Sequence, residues 1–279
     1  MRRYILSIIV AATILAGCAG DDPVPATELP VVIEGWIEDG EVPMVIVTRA
    51  VDLTTDVGSF DQYVEKWCRV TVDDGTRREI LTGRLNSAYV PSFVYTGSRI
   101  RGKVGGSYRL TVETETATYE AETTIPAPVR IDSVRVSVTG DGLRQVHAFP
   151  HIDPAEQHDR YYKFFSRING ESRYYSSFLG TFEGSVYDPV TGYPVNRGIH
   201  DTFTGTDKFT PLYTSGDTLR IKLCTMDEPA FRFWSAYENA VSLGGNMFFN
   251  VSQGCPSNIP GAKGYWAGYG TSLLWTPIP

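Results

Sequence analysis

The sequence is poor in the residues that most catalytic and metal sites require. It contains four histidines and four cysteines in 279 residues, and none has the Cys-x-x-Cys or Cys/His spacing of a zinc site. No serine has glycine both two residues before and two residues after it, which excludes a nucleophile elbow. No Gly-Lys-Ser/Thr is present, which excludes a phosphate-binding loop. We therefore expect no enzyme activity and no cofactor.

The chain also has no cluster of basic residues. Its 25 Lys and Arg are outnumbered by 32 Asp and Glu, and the net charge is −7 at pH 7. An acidic chain of this kind is not suited to binding nucleic acid. It is equally unsuited to electrostatic attraction to anionic lipid headgroups.

Long apolar runs are absent except at the N-terminus. There Arg2 and Arg3 precede an apolar stretch, residues 4–14, which is shorter than the roughly 20 residues of a membrane-spanning helix. The run Leu15-Ala16-Gly17-Cys18 that follows resembles the bacterial lipobox. It predicts a signal peptide over residues 1–17, lipidation of Cys18, and attachment to a membrane through acyl chains. The alternative is an ordinary secretory signal peptide with a chance cysteine.

Residues 18–29 contain two prolines and predict a flexible tether. Its Asp21-Asp22 pair looks like the surface-export signal of Bacteroidetes lipoproteins, although a solvated tether explains the pair as well. We expect an outer-membrane protein that is exposed at the cell surface, the periplasmic face being the alternative.

Three cysteines remain after Cys18, an odd number for an exported chain. A Cys224–Cys255 disulfide is one reading, since both residues lie in the C-terminal half. Three buried free thiols, with Cys68 as the third, are the other.

Short alternating runs predict an all-β fold. Tyr108, Leu110 and Val112 alternate with polar residues, and a polar turn separates this run from residues 118–123, which predicts a hairpin. Similar turn signals recur about every eight to twelve residues, as in β-sandwiches. Further predicted strands lie at residues 31–38, 44–48, 68–72, 78–81, 131–138, 145–149, 161–168, 174–182 and 218–224.

The run Ile125-Pro126-Ala127-Pro128 interrupts the strands, because prolines cannot donate to a sheet and stiffen the chain. We place a domain boundary there. Residues 30–126 would form an immunoglobulin-like or transthyretin-like sandwich, and residues 127–279 a larger β domain. That second domain would carry one helix, with Asp227 as its N-cap and Gly244-Gly245 at its end.

The segment from His151 to Asp159 contains two histidines and two aspartates, which are metal-ligand types. Their spacing matches no metal motif, and Asp153-Pro154 is common in turns. We expect a polar loop between strands and no metal site.

Aromatic residues are concentrated in the C-terminal half, with 24 of 34 in residues 127–279. They could form a platform for a glycan or peptide, with Tyr187, Tyr193, Trp266, Tyr269 and Trp275 as candidates, or they could fill the core. In residues 261–270 four glycines are interspersed with three aromatic residues, and the glycines predict tight turns. We take Tyr265, Trp266 and Tyr269 as the candidate binding surface; the alternative is that their rings close the second domain.

Several runs together resemble the DUF4249 family of Bacteroidetes lipoproteins. They are Val31 to Ile37, Gly106 to Val112 with Tyr119, Thr123 to Pro126, Ile131-Asp132-Ser133, and Pro256 to Trp266. In the last run Ala262 replaces a glycine and Trp266 replaces a phenylalanine of the family pattern. The family has no assigned activity, and the resemblance implies an outer-membrane lipoprotein that works beside a TonB-dependent transporter. We expect a non-catalytic binding or scaffolding role; the alternative is a glycan- or peptide-binding module of a nutrient-uptake system.

Overall fold

The chain folds almost entirely into β-strands. The computed structural model describes residues 29–50, 60–199, 209–242 and 255–279. Within these ranges the only α-helix is α1 (Glu228–Ser242), so the prediction of an all-β fold with one short helix is confirmed. The strands are β1 (Val31–Glu38), β2 (Met44–Arg49), β3 (Arg69–Asp73), β4 (Arg78–Ile80), β5 (Thr82–Leu85), β6 (Phe93–Thr96), β7 (Ser107–Glu113), β8 (Thr118–Thr124), β9 (Ile131–Val138), β10 (Arg144–Pro150), β11 (Tyr161–Arg167), β12 (Tyr175–Glu183), β13 (Tyr193–Pro194), β14 (Thr218–Met226) and β15 (Lys263–Pro277).

One large sheet organises the molecule. Its eight strands have the order β12-β11-β14-β15-β1-β2-β6-β5. The long strand β15 joins its two halves, because residues 263–269 pair in parallel with β1 and residues 270–277 pair antiparallel with β14. The large sheet is therefore continuous only through β15.

Two smaller sheets cover one face of the large sheet. The four-stranded sheet β4-β3-β7-β8 encloses the first core, in which Ile33 and Val47 of the large sheet meet Val70 and Leu110. The three-stranded sheet β13-β10-β9 encloses the third core, built from residues such as Val146, Phe164 and Ile221. Each pair of sheets is a sandwich with inward-facing residues in alternation.

Helix α1 packs on the opposite face and forms the second core with the sheet. Phe233, Trp234, Tyr237 and Val241 recur at helical spacing and are buried there. The predicted N-cap is confirmed, since the Asp227 carboxylate accepts a hydrogen bond from the backbone N–H of Ala230 at 3.0 Å. Gly244-Gly245, the predicted end of the helix, lies outside the described residues.

The predicted hairpins are present. Strands β7 and β8 pair with Tyr108 opposite Thr123, and Tyr108, Leu110 and Val112 are buried as the alternation requires. Strands β3 with β4 and β9 with β10 form the other two expected hairpins.

The glycine-rich C-terminal segment differs from the expected tight turns, because most of it lies within β15. Glycine is needed there for close backbone crossings. A Cβ on Gly270 would lie 2.1 Å from the carbonyl oxygen of Pro126, and one on Gly264 would lie 2.0 Å from that of Ile33. Gly264 also has a φ of +102°, which other residues rarely adopt.

Trp266 is a core residue and cannot be part of a binding surface. Its side chain is 0 % exposed in the first core, and its indole N–H donates to the Tyr108 carbonyl oxygen at 2.9 Å. The indole lies over Gly35, where a Cβ would come within 2.8 Å of the ring. Trp266 points inward because alternation along β15 puts it on the opposite face from Tyr265.

The first core also contains Ile259 and Ala262. Residues from beyond position 127 therefore complete the core of residues 30–126, and β15 serves both halves. The division of the chain into two folding units at Ile125–Pro128 stays a prediction.

Trp266→Ala should lower the free energy of unfolding by about 3–5 kcal/mol, the usual cost of deleting a large buried aromatic side chain. Denaturant unfolding followed by circular dichroism measures the change. Trp275→Ala is the matched control, because Trp275 lies on the same strand but is 73 % exposed, and we expect a change within about 0.5 kcal/mol. Equal effects of the two substitutions would contradict the assignment of Trp266 to the core.

Candidate ligand-binding pocket

A cavity of about 260 Å³ lies between α1 and the large sheet. Strand β1 supplies one wall through alternation, because Ile33 and Ile37 face the first core and the intervening side chains face the cavity. Those side chains are Val32, Glu34, Trp36 and Glu38. We call this cavity the helix-face pocket.

Next to β1 the pocket is lined by a cluster of aromatic rings from α1 and from β15, the neighbouring strand of the sheet. The rings of Phe233 and Trp234 lie 4.5 and 5.4 Å from the Tyr265 ring, measured between centroids. The Trp234 indole N–H donates to the Tyr269 hydroxyl at 2.8 Å. All four side chains are at least nine-tenths buried and form the floor of the pocket.

Half-buried aromatic side chains lie nearer the solvent. Trp36 and Tyr89 have ring centroids 5.9 Å apart, and Tyr174 is a further half-buried ring. The pocket is thus aromatic both at its floor and at its mouth, an environment that favours ring-shaped ligands.

An ion pair joins two pocket residues, Lys222 of β14 and Glu38 of β1. Burial opposes the charge on Lys222, but the Glu38 carboxylate outweighs it and raises the pKa of the amine. The ammonium also lies 5.0 and 5.1 Å from the ring centroids of Phe165 and Tyr174. Lys222 therefore keeps its charge, and its ammonium group stays beside Glu38 at the side of the pocket.

The two pocket arginines are held in a similar way. Arg173 lies 4.6 Å from the ring centroid of Tyr89 and 4.6 Å from that of Tyr175, and its Nε donates to the Ala88 carbonyl oxygen at 2.6 Å. Arg49 forms an ion pair with Glu65. These contacts fix the positions of both guanidinium groups.

The hydroxyl of Tyr265 is different, because it has no hydrogen-bond partner among the described residues. The side chain is only 5 % exposed and lines the pocket. Burial holds its pKa well above the ordinary tyrosine value, so the phenol keeps its proton. The neighbouring Tyr269 hydroxyl accepts from Trp234 and, within the described ranges, donates to nothing.

A buried polar network lies behind the pocket and fixes α1 to the sheet. The carboxylate of Glu238 pairs with Lys163 of β11 and accepts from the backbone N–H groups of Gly180 and Thr181, each at 3.1 Å. Gly180 lies in the irregular stretch of β12 at which the register with β11 shifts, and Thr181 lies at its edge, opposite Lys163. Burial lowers the pKa of Lys163, and the Glu238 carboxylate opposes that shift. The Lys163 ammonium lies 4.8 Å from the Trp234 ring centroid, so the network supports the pocket floor.

The structure divides the candidate binding surface. Tyr265 and Tyr269 line the pocket, whereas Trp266 lies in the first core. Of the other platform candidates, Tyr187 and Tyr193 pack in or against the third core, and Trp275 is exposed.

The three cysteines within the described ranges are free thiols, and Cys224 and Cys255 are not joined by the candidate disulfide. Both pack in the second core, where burial raises the pKa of Cys224 and raises that of Cys255 to about 11. Cys68 is half-buried. Cys18, the predicted lipidation site, lies outside the described residues.

The segment from His151 to Asp159 is a surface loop. Asp153 caps a short 3-10 helix, Pro154–Glu156, and His151 contacts Asp132 at 2.9 Å. Across the described part of the chain, no three metal-ligating side chains come together. In the same ranges no helix is both long and apolar enough to cross a membrane.

Sequence reasoning missed most of the pocket. Trp36, Tyr89, Arg173 and Lys222 come from distant parts of the chain, and only the fold brings them together. One signal was available: alternation in residues 31–38 puts Glu34, Trp36 and Glu38 on one face, an unusually polar set for a central strand.

These features define an all-β protein with an aromatic pocket under the one α-helix of its described residues. The chain belongs to the family described as domain of unknown function DUF4249, whose model matches residues 21–272. No curated protein matches the sequence. Among solved structures it is similar to the crystal structure of titin domains A168–A170, at 12 % identity and a TM-score of 0.22 over 72 % of this chain and 61 % of that chain.

Glu238→Gln should destabilise the protein by about 3–5 kcal/mol at neutral pH, because Lys163 then keeps a buried charge without its counter-charge. Lys163 has a lowered pKa in the folded state, so the unfolded state binds more protons and stability rises as the pH approaches the ordinary lysine value. The loss should therefore be smaller at pH 10 than at pH 7, as measured by denaturant unfolding. Glu228→Gln on the same helix, whose carboxylate is exposed, is the control. A pH-independent loss would contradict a charged Lys163.

Proposed function

We propose that this chain is a non-catalytic binding protein, anchored to the outer membrane by lipid on Cys18, that takes a small ligand into the helix-face pocket. The observation that supports this most directly is the pocket itself. Its aromatic lining and few convergent polar groups have the composition of ligand sites. A ligand in it would contact both halves of the large sheet through β1, β14 and β15.

Trp36→Ala should weaken ligand binding at least tenfold, because the indole supplies contact area at the mouth of the pocket. Full-length protein in a non-glycosidic detergent is screened by thermal shift and tryptophan fluorescence. The panel contains neutral saccharides, acidic and basic saccharides, short peptides and nucleosides. Trp67→Ala is the control, since Trp67 is 89 % exposed and lies outside the pocket. If no compound class gives a shift that depends on Trp36, the binding function is wrong.

A second candidate function, partnership with a TonB-dependent transporter, has its own observation. The pocket-facing register of β15 continues beyond Tyr269 to Leu273 and Trp275, which are 67 % and 73 % exposed. Exposed large apolar neighbours on one strand are typical of protein contact sites. We propose this strip as the surface that meets such a partner.

The mature protein should begin at Cys18 and carry a diacylglyceryl group and an amide-linked acyl chain, because the Leu-Ala-Gly-Cys run is a lipobox pattern. Mass spectrometry of protein from native membranes tests this, and Cys18→Ala should release a folded protein from the membrane fraction. A mature chain that keeps Arg2 and Arg3 would contradict the anchor.

Affinity purification from the same membranes tests the transporter partner. The partner should co-purify with the wild-type protein and should be lost with the Trp275→Ala variant.

A further inference from the structure

The charged side chains of the helix-face pocket are already paired. Lys222 pairs with Glu38, Arg49 pairs with Glu65, and Arg173 lies between two tyrosine rings. Glu34, the remaining carboxylate, also has an electrostatic or hydrogen-bond partner. A charged ligand would have to compete with these existing partners for the charge that it needs, which is unfavourable.

The hydrogen-bonding groups that remain are neutral donors and spare acceptors. The Tyr265 hydroxyl has no partner in the described part of the chain, although its side chain is more than nine-tenths buried and lines the pocket. The Tyr269 hydroxyl can still donate. Carboxylates have about four acceptor sites, and Lys222 contacts only Oε1 of Glu38. The pocket therefore offers both donors and acceptors without a free charge.

The volume of the pocket limits the part of a ligand that it can hold to about one ring. A cavity of about 150 Å³ holds benzene, and this one measures about 260 Å³. It has space for a six-membered ring with substituents. Aromatic side chains line it at the mouth, through Trp36 and Tyr89, and at the floor, through Phe233.

We propose that the helix-face pocket binds one ring of a neutral saccharide, an inference that rests on the proposed binding function. A pyranose has apolar C–H faces that pack on aromatic rings and hydroxyl groups around its edge that both donate and accept. One of its hydroxyl groups would accept a hydrogen bond from the Tyr265 hydroxyl, which lines the pocket. A phenyl or indole ligand would fill the same volume but, by displacing solvent from the pocket, would leave the Tyr265 hydroxyl without a partner, which is costly.

The test uses full-length protein in a non-glycosidic detergent. The probes are glucose, galactose, mannose, xylose and N-acetylglucosamine, the α- and β-linked disaccharides of glucose, and glucuronic acid and glucosamine as charged counterparts. Isothermal titration measures affinity. We expect at least one neutral saccharide to bind, and glucuronic acid and glucosamine to bind at least tenfold more weakly than it does.

Tyr265→Phe removes one hydroxyl and should weaken that binding at least tenfold, whereas the melting temperature stays close to that of the wild type. Tyr213→Phe is the matched control, because Tyr213 is buried in the third core outside the pocket. The affinity of this variant for the saccharide should equal that of the wild type. If Tyr265→Phe fails to fold, Trp36→Ala, which lies at the half-buried mouth, takes its place.

Three results would overturn the saccharide assignment: no neutral saccharide binds at millimolar concentration, the charged counterparts bind more tightly, or affinity is unchanged in Tyr265→Phe. The binding function and the saccharide assignment can fail separately. A peptide or nucleoside that binds in a Trp36-dependent manner, with no saccharide doing so, would leave the binding function standing and reject the saccharide. No Trp36-dependent binding by any class would reject both.

Discussion

The pairing of β15 with two partners is the constraint on which the rest of the fold depends. Its first half completes the sheet beside β1, and its second half holds β14. Successive residues of this strand serve different cores, because Tyr265 faces the helix and Trp266 faces the first sandwich. The aromatic residues that fill the first core and the pocket floor are thus fixed by one register. A slip of one residue would bury each ring on the wrong face.

Polar groups in the second core position the helix over that register. The Asp227 carboxylate accepts from Ala230 of α1 and also from the Thr123 hydroxyl of β8 at 2.9 Å. The same hydroxyl accepts from the backbone N–H of Gly268 at 2.8 Å. Glu238 connects the other end of the helix to β11 and β12. Helix, large sheet and small sheet are tied together by directional contacts, which define the shape of the pocket more strictly than apolar packing alone.

Local patterns predicted most of the elements and little of their assembly. Alternation identified β7 and β8 with the correct buried face, and helical spacing after Asp227 identified α1. The C-terminal glycines led to a wrong prediction of tight turns, because glycine is used both in turns and where two backbones cross closely. That Gly264 lies against Ile33 depends on a parallel pairing between segments far apart in sequence. The pocket could not be predicted from the sequence for the same reason. Its charged residues and aromatic rings come together only when β1, β14 and β15 are neighbours in the sheet.

The parallel pairing of β1 with β15 has a consequence for the order of folding. Strand β1 is central in the large sheet, yet one of its edges has no partner until nearly all the described chain has been made. Closing so large a loop is entropically costly, and contacts of this separation slow folding. The hairpins can form early, but the first core stays without its tryptophan until β15 arrives. The large sheet and the first core can therefore be completed only after β15 has been synthesised.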